Sequence, residues 1–285
     1  MVHVQTPLAA LAHTFSLLYG AYSLTAPSGF ADFHIRLAPP NQLRSWFRPQ
    51  IFFFLDDRAP FKPLPISQAF PLFEWGLNWC FANHLNQFLI LHAAVLEKGG
   101  YAAILPGSPG TGKSTLCAAL LHRGWRLLSD EIGLVSLQDG TLAPIPRPIS
   151  LKNGSIEVVR RFASEAVMGP PAVDTTKGRV VHMQAPQESV ARCYENAKPA
   201  WLVFPRYDAR VAVRFQPYPK ASAFMRAAEN AFNYARLGVV GFHTLANLVD
   251  ACSCFELTYG DLARAVDTLN TGTPPSAPVV TYSPT

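Results

Sequence analysis

The chain has 285 residues, of which 49% are hydrophobic and 15% charged, long enough for one large domain or two smaller ones with real cores and too apolar for a disordered protein. Its formal net charge of +5 suits an anionic ligand, but no run of Lys or Arg exceeds two, which argues against a general nucleic-acid binder. No apolar stretch approaches the roughly 18 to 20 residues that span a bilayer, and the start, MVHVQTPLAALAHTFSLL, lacks the basic opening and cleavage site of a signal peptide, so a cytoplasmic protein without a membrane partner is expected.

In chain order, residues 1–88 are rich in Pro and aromatics. Short strand-like runs, Phe33 to Leu37 and Ile51 to Leu55, stand between turn signals, and a helical periodicity follows from Ala69 to Ala82. These features predict a small N-terminal α+β unit, with substrate or partner recognition as one role open to it. From Phe88, FLILHAAVLE, the turn KGG and YAAILP predict a β-hairpin whose second strand runs into a glycine-rich loop. A helix is expected from Lys113 to about His122, ended by Gly124, and WRLLSD reads as a buried strand.

Further on, a helix is expected from Ser155 to Ala163, and SEAVMGPPAVDTTKGR (164–179) has the composition of a mobile loop. A strand, WLVFPRY, and helices over Ala221 to Leu237 and Thr244 to Val249 complete a domain spanning 89–272. Residues 273–285 are expected to fray. The five cysteines are odd in number and form no CxxC pair, which indicates buried thiols and neither a disulfide framework nor a zinc site.

The loop carries the chemistry. Gly107-Ser108-Pro109-Gly110-Thr111-Gly112-Lys113-Ser114, followed by Thr115, fits G-x-x-x-x-G-K-[ST] at every fixed position and lies between a predicted strand and a predicted helix. The glycines let successive N–H groups face phosphate oxygens, and the helix adds the positive end of its dipole. Lys113 would reach the β- and γ-phosphates of ATP, and the Ser114 hydroxyl would ligate Mg²⁺. Asp130 and Glu131 come at the end of the next strand, where one can hold Mg²⁺ and the other accept a proton from an attacking hydroxyl. By spacing alone, His92 reads as an ordinary core histidine on an apolar strand. Arg147, Lys152, Lys177 and Arg179 are cations available to a transferring phosphoryl group, with Arg179 first because it follows Gly178 at the end of the expected mobile loop.

The succession His92-Ala-Ala, hairpin, GSPGTGKST, LLHRGWRLLSDE resembles the catalytic core of HPr kinase/phosphorylase. The segments PIPRPISLKNGSI (144–156), TKGRVVHMQAP (176–186) and PLFEWGLNWC (71–80) are similar to the bacterial group called HPr-kinase-related kinase A. This resemblance implies an α/β fold with a P-loop nucleotide-binding core of the HPr kinase and phosphoenolpyruvate carboxykinase type. It implies a kinase that uses ATP and Mg²⁺ on a Ser or Thr hydroxyl of a protein or peptide, and raises homo-oligomer formation as an expectation. It assigns Asp130 as general base, His92 as the residue that orients it, and Glu131 as metal partner. Two departures stand out: Asp130-Glu131 replaces a pair of aspartates, and SLKNGS, with Lys152 and Asn153, replaces the family's Glu- and Arg-bearing signature. Two other functions share these residues: an ATP-binding switch that transfers nothing, and a kinase of a free small molecule such as an amino acid.

Overall fold

The computed structural model describes residues 1–25, 29–40 and 49–272. They divide into two compact units, one from Met1–Leu85 and Pro148–Ala185, the other from Asn86–Arg147 and the chain from Pro186 onward. In chain order the elements are β1 (Val2–Gln5), α1 (Ala9–Tyr19), β2 (Phe33–Ala38), β3 (Gln50–Leu55), β4 (Leu64–Pro65) and α2 (Ala69–His84); then β5 (Phe88–Leu91), β6 (Ala93–Lys98), β7 (Tyr101–Pro106), α3 (Lys113–Leu121), β8 (Arg126–Ser129), β9 (Gly133–Ser136) and β10 (Leu142–Ala143). The chain goes on through β11 (Ile149–Lys152), α4 (Gly154–Phe162), β12 (Ala172–Thr175) and β13 (Gly178–Met183). It finishes with α5 (Gln187–Ala191), β14 (Lys198–Tyr207), β15 (Arg214–Pro217), α6 (Lys220–Glu229), α7 (Tyr234–Ala251), β16 (Ser253–Tyr259) and α8 (Leu262–Thr271).

In the first unit a four-stranded sheet, β1-β2-β3-β4, is built on alternation: Phe33, Ile35 and Leu37 of β2 and Ile51 and Phe53 of β3 point to one buried face. Helix α2 buries Phe70, Phe73, Leu77 and Cys80 at helical spacing, with the Phe70 and Phe73 rings against Phe15 of α1 and the Phe81 ring against Phe33 of β2. Pro71 is tolerated because the first turn of a helix has no internal partner for its N–H. Gly76 is where helix and sheet approach most closely, since a Cβ there would lie 2.3 Å from the Phe53 ring. Burial of the Cys80 thiol in this core pushes its pKa up to about 12.

The residues 148–185, expected to belong with the nucleotide-binding part, cluster instead with the N-terminal segment, because long-range hydrogen bonds hold them there. Gln68 Nε2 donates to Asp174 O at 3.0 Å, Gln184 Nε2 donates to Leu17 O at 2.8 Å, and the Phe70 and His182 rings meet edge to face at 5.0 Å. The loop expected over 164–179 is also corrected. Residues Ala172–Thr175 and Gly178–Met183 form antiparallel strands in a sheet of order β11-β13-β12, whose ladder the Pro- and Gly-rich composition concealed. Asn153 ties this sheet's turn, its side chain donating to Lys177 O at 3.1 Å and accepting from the Arg179 N–H at 3.1 Å.

The second unit is built on a six-stranded sheet of order β15-β16-β14-β7-β6-β8, in which β7, β14 and β16 run parallel and β6 is antiparallel to both β7 and β8. The turn between β6 and β7 uses Gly99 and Gly100 at φ +63° and +88°, the left-handed pair that a tight hairpin requires. Strands β6 and β7 are buried on both faces. Ala93, Val95, Ile104, Leu202 and Phe204 pack with Leu245 and Leu248 of α7 and with Leu89 and Val135 of the small sheet β10-β9-β5. The alternate residues serve the opposite face, which α3 and α8 cover.

Two sequence expectations change here. The run FLILHAAVLE is not one strand: β5 pairs with β9, β6 pairs with β7 and β8, and the chain passes from one sheet to the other at His92. The helix expected over 221–237 is broken at Asn230–Asn233, where Phe232 N–H donates to Ile90 O at 2.8 Å and the buried Asn233 side chain bonds to Ile90 N–H and Phe88 O. Residues Thr244 to Val249 belong to the long α7, in which Gly238 (φ +56°) marks a kink. The cysteines Cys80, Cys117, Cys252 and Cys254 are buried and free, whereas Cys193 is half-buried. The tail 273–285, expected to fray, lies outside the described residues. Among the described residues no helix is long and apolar enough to cross a membrane.

Candidate active site

The strand registers bring the sequence candidates of the second unit together. Ala93, the first residue of β6, pairs with Pro106, the last of β7, and Val95 pairs with Ser129, the last of β8. His92, the glycine-rich loop beginning at Gly107 and Asp130 therefore emerge from one end of three neighbouring strands. The Gly107 N–H donates to His92 O at 3.3 Å. Burial drives the pKa of the Cys117 thiol, on the second turn of α3, well above its ordinary value. Asp130 raises it further and Lys113 lowers it, so both charges lie within electrostatic reach of one buried atom.

The loop residues Ser108, Pro109 and Gly110 are exposed, and Lys113 and Asp130 are buried. Lys113 opens α3, with Ser114 and Thr115 in its first turn, both half-buried. The Lys113 ammonium lies 3.2 Å from His92 Nε2. An ammonium has donors only, so the imidazole nitrogen accepts, which puts the neutral ring's proton on Nδ1. Asp130 and the half-buried Glu131 follow β8, and Ser129 Oγ accepts from the Ile132 N–H at 3.1 Å, turning the chain between the two strands that flank the acidic pair.

Gly110 and Gly112 both have φ near +90°, but they differ in surroundings. A Cβ at Gly110 would meet nothing within 4 Å, whereas one at Gly112 would lie 2.4 Å from Tyr259 Oη. Gly110→Ala is therefore expected to cost only the left-handed backbone strain, about 1–2 kcal/mol. Gly112→Ala must in addition displace a buried tyrosine, so its loss of stability in chemical denaturation should be clearly the larger. Equal losses would show that Tyr259 yields without cost.

Tyr259 and Tyr207 are the site neighbours that sequence reasoning missed. Burial raises the Tyr259 pKa, keeping the phenol protonated, and it donates to Gly112 O at 3.1 Å; the Tyr207 N–H donates to Thr111 O at 3.1 Å. Neither contact has a local signature, because each comes from the end of a distant parallel strand. The remaining cation candidates divide between the two units. Arg147 is buried at the end of the second unit's first segment. Lys152, Lys177 and Arg179 belong to the first unit, where Arg179 is the second residue of β13 and stands 4.0 Å from Glu157 as an exposed ion pair. The end of the expected mobile loop, where Arg179 stands, is thus part of a paired strand.

Among the described residues no group of three or more His, Cys, Asp and Glu could hold a metal ion by itself. Mg²⁺ bound with a nucleotide takes only one or two protein oxygens, the phosphates and water supplying the rest. Ser114, Asp130 and Glu131 offer hard oxygen donors of that kind, and the open left-handed turn at Gly110 leaves room beside the loop's N–H groups.

No family model matches the chain. It is similar to an HPr kinase/phosphorylase of Latilactobacillus sakei subsp. sakei (strain 23K), with 23% identity over 188 residues covering 61% of this chain and 54% of that protein. The chain thus spans about half the length of the curated relative it matches. The similarity is distant, and with it stands a mixed α/β protein with several sheets.

Proposed function

We propose that the protein is a kinase that transfers the γ-phosphate of ATP, with Mg²⁺, to a Ser or Thr hydroxyl of a protein or peptide. The observation that carries this reading is the meeting of the glycine-rich loop, His92 and Asp130 at one end of β7, β6 and β8. Holding Mg²⁺ takes one carboxylate, and the adjacent Asp130 and Glu131 leave a second one for proton transfer. The distant similarity to a protein named HPr kinase/phosphorylase supports the same reaction class and a protein acceptor.

On this reading the loop N–H groups from Ser108 to Thr115 and the start of α3 hold the phosphate chain, and Lys113 balances its charge. His92, as the acceptor for Lys113, steers the ammonium. Asp130 takes the proton of the acceptor hydroxyl as it attacks. Ser114 with Glu131 or Asp130 would hold Mg²⁺, which would supply charge neutralisation for the phosphates. Little else is required, because phosphoryl transfer depends mainly on position and electrostatics.

The test is mass spectrometry of a panel of serine- and threonine-bearing proteins and peptides after incubation with ATP and Mg²⁺, beside Lys113→Ala. Phosphate on an acceptor hydroxyl with the native chain, and none with the variant, is the expected result. Tight ATP binding by the native chain with no acceptor modified would favour a nucleotide-driven switch.

A further inference from the structure

In the second unit the parallel strands β7, β14 and β16 end side by side, and the backbone just beyond them is fastened across from one strand to the next. Tyr207, the last residue of β14, ties its N–H to Thr111 O, and Asp208 N–H donates to Tyr259 O at 2.9 Å. Gly260 lies so close to this turn that a Cβ would stand 2.7 Å from Asp208 O. Arg210 folds back on Asp208 at 3.2 Å, closing the turn.

Despite this fixed backbone, the Tyr207 side chain is 52% exposed. Its ring packs against Tyr259, with centroids 5.6 Å apart at 65°, and its Cβ lies 3.1 Å from where a Cβ of Gly112 would be. A large aromatic held by its backbone and one ring neighbour loses little freedom when something flat settles on its exposed part.

Position gives this face its meaning. The groups suited to chemistry, His92 and Asp130, lie on the β6 and β8 flank of the glycine-rich loop, and Tyr207 lies on the β14 flank. A nucleotide whose terminal phosphate is directed at the first flank extends its nucleoside toward the second. Ligands of parallel sheets bind outside the carboxyl ends of the strands, and that is where Tyr207 stands.

We propose that Tyr207 is the platform on which the nucleobase of the bound nucleotide stacks, so that it favours a nucleoside triphosphate over a bare polyphosphate. The inference rests on the nucleotide-binding reading of the glycine-rich loop. The experiment is calorimetric titration of the full chain with Mg·ATP and with magnesium tripolyphosphate, for the native protein, Tyr207→Ala and Tyr207→Trp. Tyr207→Ala is expected to weaken ATP roughly tenfold while leaving tripolyphosphate within about twofold, because stacking on an aromatic side chain is lost only where there is a base. Tyr207→Trp should retain ATP affinity, which separates stacking from damage to the fold.

Equal losses for both ligands in Tyr207→Ala would overturn the proposal, the side chain then serving only to shape the loop. Undiminished ATP affinity in that variant would also overturn it, placing the base elsewhere while nucleotide binding stood. A native chain that bound neither ligand would overturn both this inference and the nucleotide reading.

Discussion

Asp130→Asn is expected to lower phosphoryl transfer by about 10²–10⁴-fold, the usual contribution of a positioned general base. The amide has the shape of the carboxylate, so the buried position after β8 is filled as before, but it cannot take the proton of an attacking hydroxyl. Nucleotide affinity should hold or tighten, since a negative charge has been removed from the end of the sheet that would carry the phosphates. Lys113→Ala differs in sign: it removes a cation from that place and should weaken ATP binding and transfer together. Single-turnover rates with a saturating acceptor, read beside ATP titrations, separate the two effects. A native rate in Asp130→Asn would assign the base elsewhere, with Glu131 the first candidate.

What the sequence disclosed depends on how local each feature is. The glycine-rich loop was legible because its conformation is encoded within a few residues, the left-handed turns at Gly110 and Gly112 requiring the residue that occupies them. The helix after it and the hairpin turn before it are equally local. The break at His92 was not legible. Its cause is the Asn233 side chain, 143 residues from the Ile90 N–H that it accepts, and no pattern within FLILHAAVLE announces that the chain changes sheets there. Asparagines at 230 and 233 inside a helical pattern were the available signal, since such side chains compete with the helix for backbone groups.

The same distinction explains the units. Residues 148–185 come after the nucleotide-binding segment in sequence, but the partners of their polar groups lie in the N-terminal part, 106 residues apart for Gln68 and Asp174 and 167 for Leu17 and Gln184. Composition at 164–179 indicated a loop because Gly169, Pro170 and Pro171 interrupt it, yet the part from Ala172 finds a ladder in β13 and joins a sheet. For the candidate site, Asp130 could be named from its place after a strand and His92 from resemblance, but their common end of the sheet depends on β6 being antiparallel to two neighbours. Tyr207 and Tyr259 depend on the parallel crossovers later in the chain, which motif spacing does not record.

The edge strand that carries Asp130 depends on a buried ion pair, and breaking it is expected to produce the largest loss of stability. Arg126, at the start of β8, bonds through Nε to Glu97 of β6, both side chains being almost fully buried. Its other nitrogens donate to Arg192 O and Glu195 O, each at 2.8 Å, so that it also anchors the segment after α5. Arg126→Met leaves Glu97 buried with only the Gly100 N–H at 2.5 Å and Arg192 at 3.7 Å. Such a broken pair costs about 3–5 kcal/mol, a large part of the roughly 5–15 kcal/mol that holds a domain folded. The double variant Glu97→Leu, Arg126→Met should recover much of the loss, because no charge is then left in the core. Acid supplies a second readout. Burial alone would raise the Glu97 pKa, but the Gly100 N–H and then the Arg126 guanidinium outweigh it and hold the carboxyl below its ordinary value. Stability from a depressed carboxylate is fully present above its unfolded pKa, near ~4.3, and is lost as pH falls through the folded one. The difference in unfolding free energy between the native chain and Arg126→Met should therefore narrow on acidification, because protonating the unpaired Glu97 relieves the variant while the native chain loses the stability of its depressed carboxylate below about pH 4. A difference that did not change with pH would mean that the loss comes from the two carbonyl contacts and not from the carboxylate.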